Sequence, residues 1–289
     1  MSELRDEVAI VTGAATGVGR ALALDLAARG VSVVVTDIDD EGGAKLVAEI
    51  EAREGRASFV HVDVRRPREL DAAVDKAKSA FGPVTIAVAN AMAGGAQGTI
   101  WQQDPEGASA TFDVLVFGVF TAVRQLGLAL LDTAKEGKPA RLLVVGSEHS
   151  LGVPPHVFPL SAYTVAKYAT LGIVDTARRD FEGTGVTATL LAPSWVRTEK
   201  VRELIATAPD VARVIEPYAQ DASEVACLGV DGLLRADYIT ATNPVIRQFA
   251  IDHARGVIAA VQMLPAPVEE EHAHDGTGDA SKCPVVGHF

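Results

Sequence analysis

A tyrosine and a lysine four residues apart, Tyr163 and Lys167, stand in an alanine-rich stretch with helical patterning. That spacing puts them one turn apart on one helix face. A fixed cation beside a phenol favours the phenolate and lowers its pKa. Moving a tyrosine from about 10 to near 7 takes roughly 4 kcal/mol of differential stabilisation. A neighbouring lysine and a cationic cofactor ring would together supply it. Ser147 directly follows the apolar run Leu142–Val145 and Gly146, where a strand should end. Far upstream, Thr12-Gly13-Ala14-Ala15-Thr16-Gly17-Val18-Gly19 follows another apolar run and opens a helix. In that setting backbone N–H groups and the positive helix end receive a pyrophosphate. These residues are the parts of a proton-transfer site beside a dinucleotide.

The glycines carry separate expectations. Gly13 allows a tight turn, Gly17 lets the phosphates approach, and Gly19 lets the helix pack on the sheet. Three residues separate the first two glycines, so the spacing differs from the common GxGxxG. The second apolar run leads to Asp37, eighteen residues beyond Gly19. A carboxylate there accepts hydrogen bonds from the adenosine ribose and repels a 2′-phosphate. No Lys or Arg occupies 14–16 or 36–40, so NAD is expected rather than NADP. Asp63, with Val64 beside it, ends the third strand and is expected at the adenine. Asn90 ends the fourth strand beside the cofactor.

The elements that must position these groups read as alternating strands and helices. Apolar runs at Val8–Val11, Val31–Val35, Ser58–Val62, Val84–Val88, Leu142–Val145 and Val186–Leu191 are mostly continuous. That is the pattern of parallel strands buried on both faces. Helical patterns fall between them at Gly19–Arg29, Glu41–Arg53, Arg68–Phe81, Phe112–Ala134 and Ala162–Phe181. Six β/α units in series predict an α/β fold: a doubly wound parallel sheet (Rossmann fold) in three α/β/α layers. Residues 199–222, with Pro209 and Pro217, read as a helical excursion over the site. Ser223–Arg235 and Pro244–Met263 read as further helices around a short extended piece, Tyr238–Ala241. The expected organisation is one domain over 1–264 and an acidic, flexible tail over 265–289.

Composition bounds the rest. The chain has 289 residues, 48% of them hydrophobic, and mean hydropathy +0.19, enough to fill a substantial core. Its net charge of −12 comes without a basic stripe, which argues against nucleic acid and anionic membrane partners. Cys227 and Cys283 form no CxxC pair, as in a reducing cytoplasm. No leader and no apolar run of spanning length is expected, so the chain reads as soluble and cytoplasmic.

Taken together, these motifs resemble the short-chain dehydrogenase/reductase family, in its shorter single-domain branch. The elements run in family order over roughly 7–240: TGxxxGxG, the acidic end of strand two, an NAxAG-like segment from Asn90, Ser147, YxxxK, and PxxVxT at Pro193–Thr198. The resemblance implies hydride transfer at an alcohol or carbonyl carbon. It gives Tyr163 the role of general acid–base. Lys167 would hold the nicotinamide ribose and depress the tyrosine pKa, and Ser147 would hydrogen-bond the substrate oxygen. Val196 and Thr198 would contact the carboxamide end of the cofactor. The expected cofactor set is therefore Gly13, Thr16, Gly17, Val18, Gly19, Asp37, Asp63, Val64, Asn90, Tyr163, Lys167, Val196 and Thr198.

Three departures accompany the resemblance. Leu115 holds the position of a family Asn that helps a water link the Lys to bulk solvent. The Ser147-to-Tyr163 spacing is long, and Ser150 would restore the usual one. The family's C-terminal strand with a Gly-Gly ending is missing, with the Pro244–Met263 helix in its place. The common tetramer is thereby left open beside a dimer, within an expected homo-oligomer.

Beyond the family motifs, His149 and Trp195 are expected to touch substrate with Ser147, and His156 lies near them. The apolar loop Leu151–Leu160, Leu204 and Ile205 suggest an apolar, ring-bearing small molecule. Phe112, Phe117 and Phe120 read as core or interface packing. His272, His274, Cys283 and His288 match no zinc signature, so no metal is expected. The alternatives to an NAD-dependent alcohol dehydrogenase are a non-catalytic dinucleotide sensor and an epimerase or dehydratase of the longer branch. An intact Ser147, Tyr163 and Lys167 disfavours the sensor. The TGxxxGxG spacing and the short C-terminal region disfavour the epimerase or dehydratase.

Overall fold

Val8–Thr12 forms β1, buried along its whole length, and pairs in parallel with β2 (Ser32–Asp37) and β4 (Ile86–Ala89). A computed structural model describes residues 4–94 and 97–265. The strands continue with β3 (Ala57–His61), β5 (Ala140–Val145), β6 (Val186–Ala192) and β7 (Ile239–Ala241). All seven are parallel in the order β3-β2-β1-β4-β5-β6-β7. This is the doubly wound sheet expected. The strand order reverses between β1 and β4, which opens a crevice at their carboxyl ends.

Helices cover both faces, as the uninterrupted strand apolarity requires. α1 (Gly17–Ala28), α2 (Asp40–Ala52) and α9 (Ala222–Leu234) close one core, which includes Leu22, Leu26, Leu46 and Val230. α3 (Pro67–Ala80), α5 (Val119–Lys135) and α6 (Ser161–Asp180) close the other, around Leu70, Leu126, Leu130 and Val174. The chain divides after His253 into two units, and everything described about the site lies in the first.

Three sequence expectations are corrected. A seventh strand is present: Ile239, Thr240 and Ala241 pair with Leu190, Leu191 and Ala192. At three residues it carries little sequence signal, and α10 (Ile246–Gln262) follows it rather than replacing it. The stretch read as Phe112–Ala134 is longer and irregular. It comprises α4 (Pro105–Phe112), a π-helical segment Asp113–Gly118 and α5. Finally, Pro105–Lys135 taken together is long and apolar enough to cross a membrane. More than half of its most apolar stretch is buried inside the fold, which accounts for that apolarity. Polar residues scattered along it had hidden its length.

The excursion over 199–222 folds as α7 (Glu199–Thr207), α8 (Pro209–Ile215) and a 3₁₀ turn at 216–218. Pro209 sits at the first position of α8, where its missing N–H costs nothing. The expected tail and its His and Cys residues fall outside the described residues beyond 265.

Candidate active site

The crevice at the reversal point is built by polar side chains that tie β1 to β4. Thr12 Oγ1 donates to Val88 O at 3.1 Å and accepts the N–H of Asn90 at 2.9 Å. Asn90 Nδ2 in turn donates to the carbonyls of Thr12 and Gly13, both at 2.9 Å. The glycine turn is thus braced from beneath by Asn90. Gly13 has φ +62°, and a Cβ there would lie 2.6 Å from Ala91 Cα. A Cβ on Gly19 would lie 2.2 Å from Gly13 O. Neither position tolerates a side chain, so the backbone of the turn is left uncovered by side chains of its own.

Asp37 closes β2, and its Oδ2 accepts the N–H of Ala15 at 2.9 Å. The carboxylate therefore faces the glycine turn. Asp63 is held by Arg65 through contacts of 2.6–3.1 Å, and that guanidinium keeps its pKa below the usual range. Arg65 went unassigned in the sequence, since a pair two residues apart after a strand has no diagnostic pattern. Thr198 caps α7 and lies over the turn, where a Cβ on Gly17 would come within 3.1 Å of its methyl. Glu199, also unassigned, takes the Gly17 N–H through Oε2 at 3.1 Å.

At the other end of the crevice, α6 presents Tyr163 and Lys167 toward the end of β5. Lys167 is buried, donates to Val145 O at 3.0 Å, and its Nζ lies 5.6 Å from the Tyr163 ring centre. Ser147 follows β5 and faces Tyr163 across the cleft end, where its hydroxyl acts to lower the phenol's pKa. Ser150 turns the other way: its Oγ accepts the Ser147 N–H at 3.2 Å and packs against Gly146. His149 sets its ring edge-on to Tyr163 at 5.2 Å, with Nδ1 2.9 Å from Thr164 Oγ1. Trp195 stacks at a tilt on Phe158 at 5.8 Å. One cleft of about 790 Å³ joins the two ends. All the residues expected at the cofactor line it except Gly19, which packs behind the turn, and Ser147, His149 and Trp195 line it too; His156 and Ile205 do not.

Burial pushes the Tyr163 phenol up to about 12, the Glu148 charge adds to that, and the Ser147 hydrogen bond only partly opposes it. Lys167, itself lowered to about 8 by burial, does not reverse the direction. The protein alone holds Tyr163 as an acid; a phenolate needs further positive charge. Burial also lowers His149 to about 4, with the charges of His156 and Lys167 assisting, so its ring is neutral. Glu148, buried between these groups, is raised to about 7 by desolvation against the opposing Ser194 hydrogen bond. At the departure noted in the sequence, Leu115 is fully buried inside the π segment.

The short chain dehydrogenase family profile matches residues 7–209, which span β1 to the start of α8. The chain belongs to the short-chain dehydrogenase/reductase family. This short-chain dehydrogenase/reductase is 31% identical over 218 residues to the 2,5-dichloro-2,5-cyclohexadiene-1,4-diol dehydrogenase of Sphingobium indicum, covering 75% of the chain and 82% of the relative. It is 30% identical over 202 residues to cyclohexanol dehydrogenase of an Acinetobacter species, covering 70% and 78%. The crystal structure of a short chain dehydrogenase/reductase from Burkholderia phymatum, in complex with NAD, matches it with a TM-score of 0.77. That likeness covers 93% of this chain and all of the other, at 27% identity. The chain is thus an oxidoreductase of a family that binds nicotinamide dinucleotides.

Proposed function

We propose that this short-chain dehydrogenase/reductase is an NAD-dependent alcohol dehydrogenase or ketone reductase acting on a secondary alcohol carried by an apolar ring. One observation carries the reading: Ser147, Tyr163 and Lys167 converge at one end of the cleft whose other end is the glycine turn. The cradle fits a dinucleotide, because two glycines leave backbone where any Cβ would collide. Asp37 faces that turn and favours two ribose hydroxyls over a 2′-phosphate, which supports NAD. The apolar character of Phe158, Leu160, Trp195 and Leu204 supports a ring-bearing substrate. So do the names of the Sphingobium and Acinetobacter relatives.

Held by the glycine turn, Asp37 and Lys167, an oxidised nicotinamide cofactor would supply a hydride acceptor and a positive charge beside the phenol. Ser147 holds the substrate oxygen through its hydroxyl. Tyr163, deprotonated, takes the alcohol proton, and in reduction returns it to the forming alkoxide. Lys167 steadies the phenolate by charge and orients the ribose through its remaining N–H donors. The neutral ring of His149 packs beside Tyr163 and limits water there.

The test is NADH formation with cyclohexanol, cyclic diols and bulkier ring alcohols as substrates, alongside NADP as competing cofactor. Turnover that prefers NAD and fails on open-chain polar alcohols is expected. A folded, NAD-binding protein that turns over none of the ring alcohols would overturn the substrate reading.

A further inference from the structure

His149 keeps one polar atom unspent at the substrate end of the cleft. The residue is 5% exposed and borders two spaces, the cleft of about 790 Å³ and an adjoining cavity of about 320 Å³. The wall of the smaller space is apolar along Val153, Pro154 and Val157, and its side-chain hydroxyls are engaged. Ser161 Oγ donates to Gly98 O at 3.2 Å, and Thr164 Oγ1 to Leu160 O at 3.0 Å. Thr164 Oγ1 also lies 2.9 Å from His149 Nδ1 and anchors the ring. Nε2, by contrast, has no hydrogen-bond partner among the described residues, and it is not one of the side-chain polar atoms sealed inside the fold. It opens on the spaces that His149 borders.

Three contacts set this ring beside the reacting groups. The His149 N–H donates to Ser147 Oγ at 3.3 Å, the imidazole stands edge-on to Tyr163 with centres 5.2 Å apart, and its anchor Thr164 follows Tyr163 on α6. The imidazole therefore borders both side chains assigned to the substrate oxygen. A neutral imidazole has one N–H and one lone pair. With Thr164 donating to Leu160 O, Nδ1 carries the ring proton and Nε2 accepts; were that hydroxyl turned to the ring, Nε2 would carry the proton and donate. A hydroxyl both donates and accepts, so it satisfies Nε2 in either tautomer. A plain hydrocarbon ring seated there would strip the water from Nε2 and leave it unpaired, which is costly.

We propose that His149 determines specificity: its Nε2 binds a second hydroxyl on the substrate ring, on the carbon next to the one that reacts, so the preferred substrates are vicinal ring diols and their hydroxyketones. The proposal rests on the ring-alcohol reading above and narrows it. The adjacent carbon is chosen because the imidazole stands directly beside Ser147 and Tyr163. Thr164 is the positioning residue, since it holds the ring through Nδ1 and leaves Nε2 for the ligand.

The experiment is calorimetry on the NADH-loaded protein, in which an alcohol binds without reacting, with cis- and trans-1,2-cyclohexanediol and cyclohexanol as probes. The better-fitting diol should bind about 10- to 100-fold more tightly than cyclohexanol, the range set by one hydrogen bond made or lost at a buried group. His149→Phe, which keeps a flat ring and removes both nitrogens, should erase that difference, and His149→Gln, whose amide donates or accepts, should restore part of it. Where His149→Phe fails to fold, His149→Leu supplies the same comparison. In steady state the preference should lie in KM rather than kcat, as for a contact made equally in ground and transition states. Equal affinity for diols and cyclohexanol in the unaltered protein overturns the proposal, as does an undiminished preference in folded His149→Phe. Diol binding that depends on His149 without any oxidation would refute the activity proposed above and leave this contact in place. Oxidation of cyclohexanol and the diols with equal kcat/KM would do the reverse.

Discussion

Ser147 and Ser150 share one turn, and only Ser147 meets the phenol. Ser150 spends its hydroxyl on the Ser147 N–H. Ser147→Ala should therefore cut kcat by about 10²–10³, the usual cost of losing a donor to a developing oxyanion. Ser150→Ala should leave kcat within a few-fold and instead lower stability by about 1 kcal/mol. Thermal unfolding and steady-state rates separate the two outcomes, and the reverse ranking would refute the assignment. Tyr163→Phe should abolish turnover and leave the NADH dissociation constant near that of the unaltered protein, as measured by fluorescence titration. Glu148 also has a signature in stability. Its folded pKa of about 7 lies above the unfolded 4.5, so it is stabilising when protonated and costs stability as pH rises through that window. At pH 8 that cost is about 3 kcal/mol. Glu148→Gln should raise the melting temperature at pH 8 and have little effect near pH 4.

At the scale of elements, the glycine turn and the strand ends were legible because their chemistry is local. Gly13, Gly19 and Asp37 sit at fixed offsets from apolar runs, and those runs became buried parallel strands. Gly19→Ala should lower NAD affinity or prevent folding, since its Cβ would overlap Gly13 O. Asp37→Ala should narrow the preference for NAD over NADP, read as the ratio of kcat/KM values. Other elements gave too little signal. β7 has only three residues, and the π segment breaks the 3.6-residue period inside a helix otherwise evident. Gly118 within it lets that helix approach Val64, where a Cβ would come within 2.7 Å. Contacts across long separations were not legible at all. Glu148 meets His156 across a proline-rich loop, and Glu199 meets Gly17 from 182 residues away. Nothing in the spacing of either pair announces a contact. A Tyr and Lys at helical spacing report proximity, whereas the burial that raises the phenol has no signature in that spacing.

For the whole molecule, Phe117 and Phe120 were read as core or interface, and they stand 64% and 57% exposed beside Leu128 at 49%. Core packing does not account for them. If this face joins copies of the chain, as the expected homo-oligomer requires, Phe117→Ser with Phe120→Ser should reduce the particle mass in light scattering. The fold should survive, because neither side chain fills the interior. Residues beyond Leu264 lie largely outside the described part. The prolines and acidic residues there offer little apolar area, so deletion after Leu264 should leave kcat and NAD affinity within a few-fold. A truncated protein that stays folded and assembled yet loses turnover would place the tail at the site.

Glu199 occupies the N–H of Gly17, the very donor that an arriving phosphate would seek. Two anions cannot share one helix start, so the newcomer must wait for the carboxylate to leave. Arrival then becomes a queue. In stopped-flow mixing, the observed association rate should climb with NADH concentration and level off at the pace of Glu199's departure. Glu199→Gln, which weakens the incumbent's claim, should lift that plateau, and a strictly linear dependence in the unaltered protein would show that no waiting occurs.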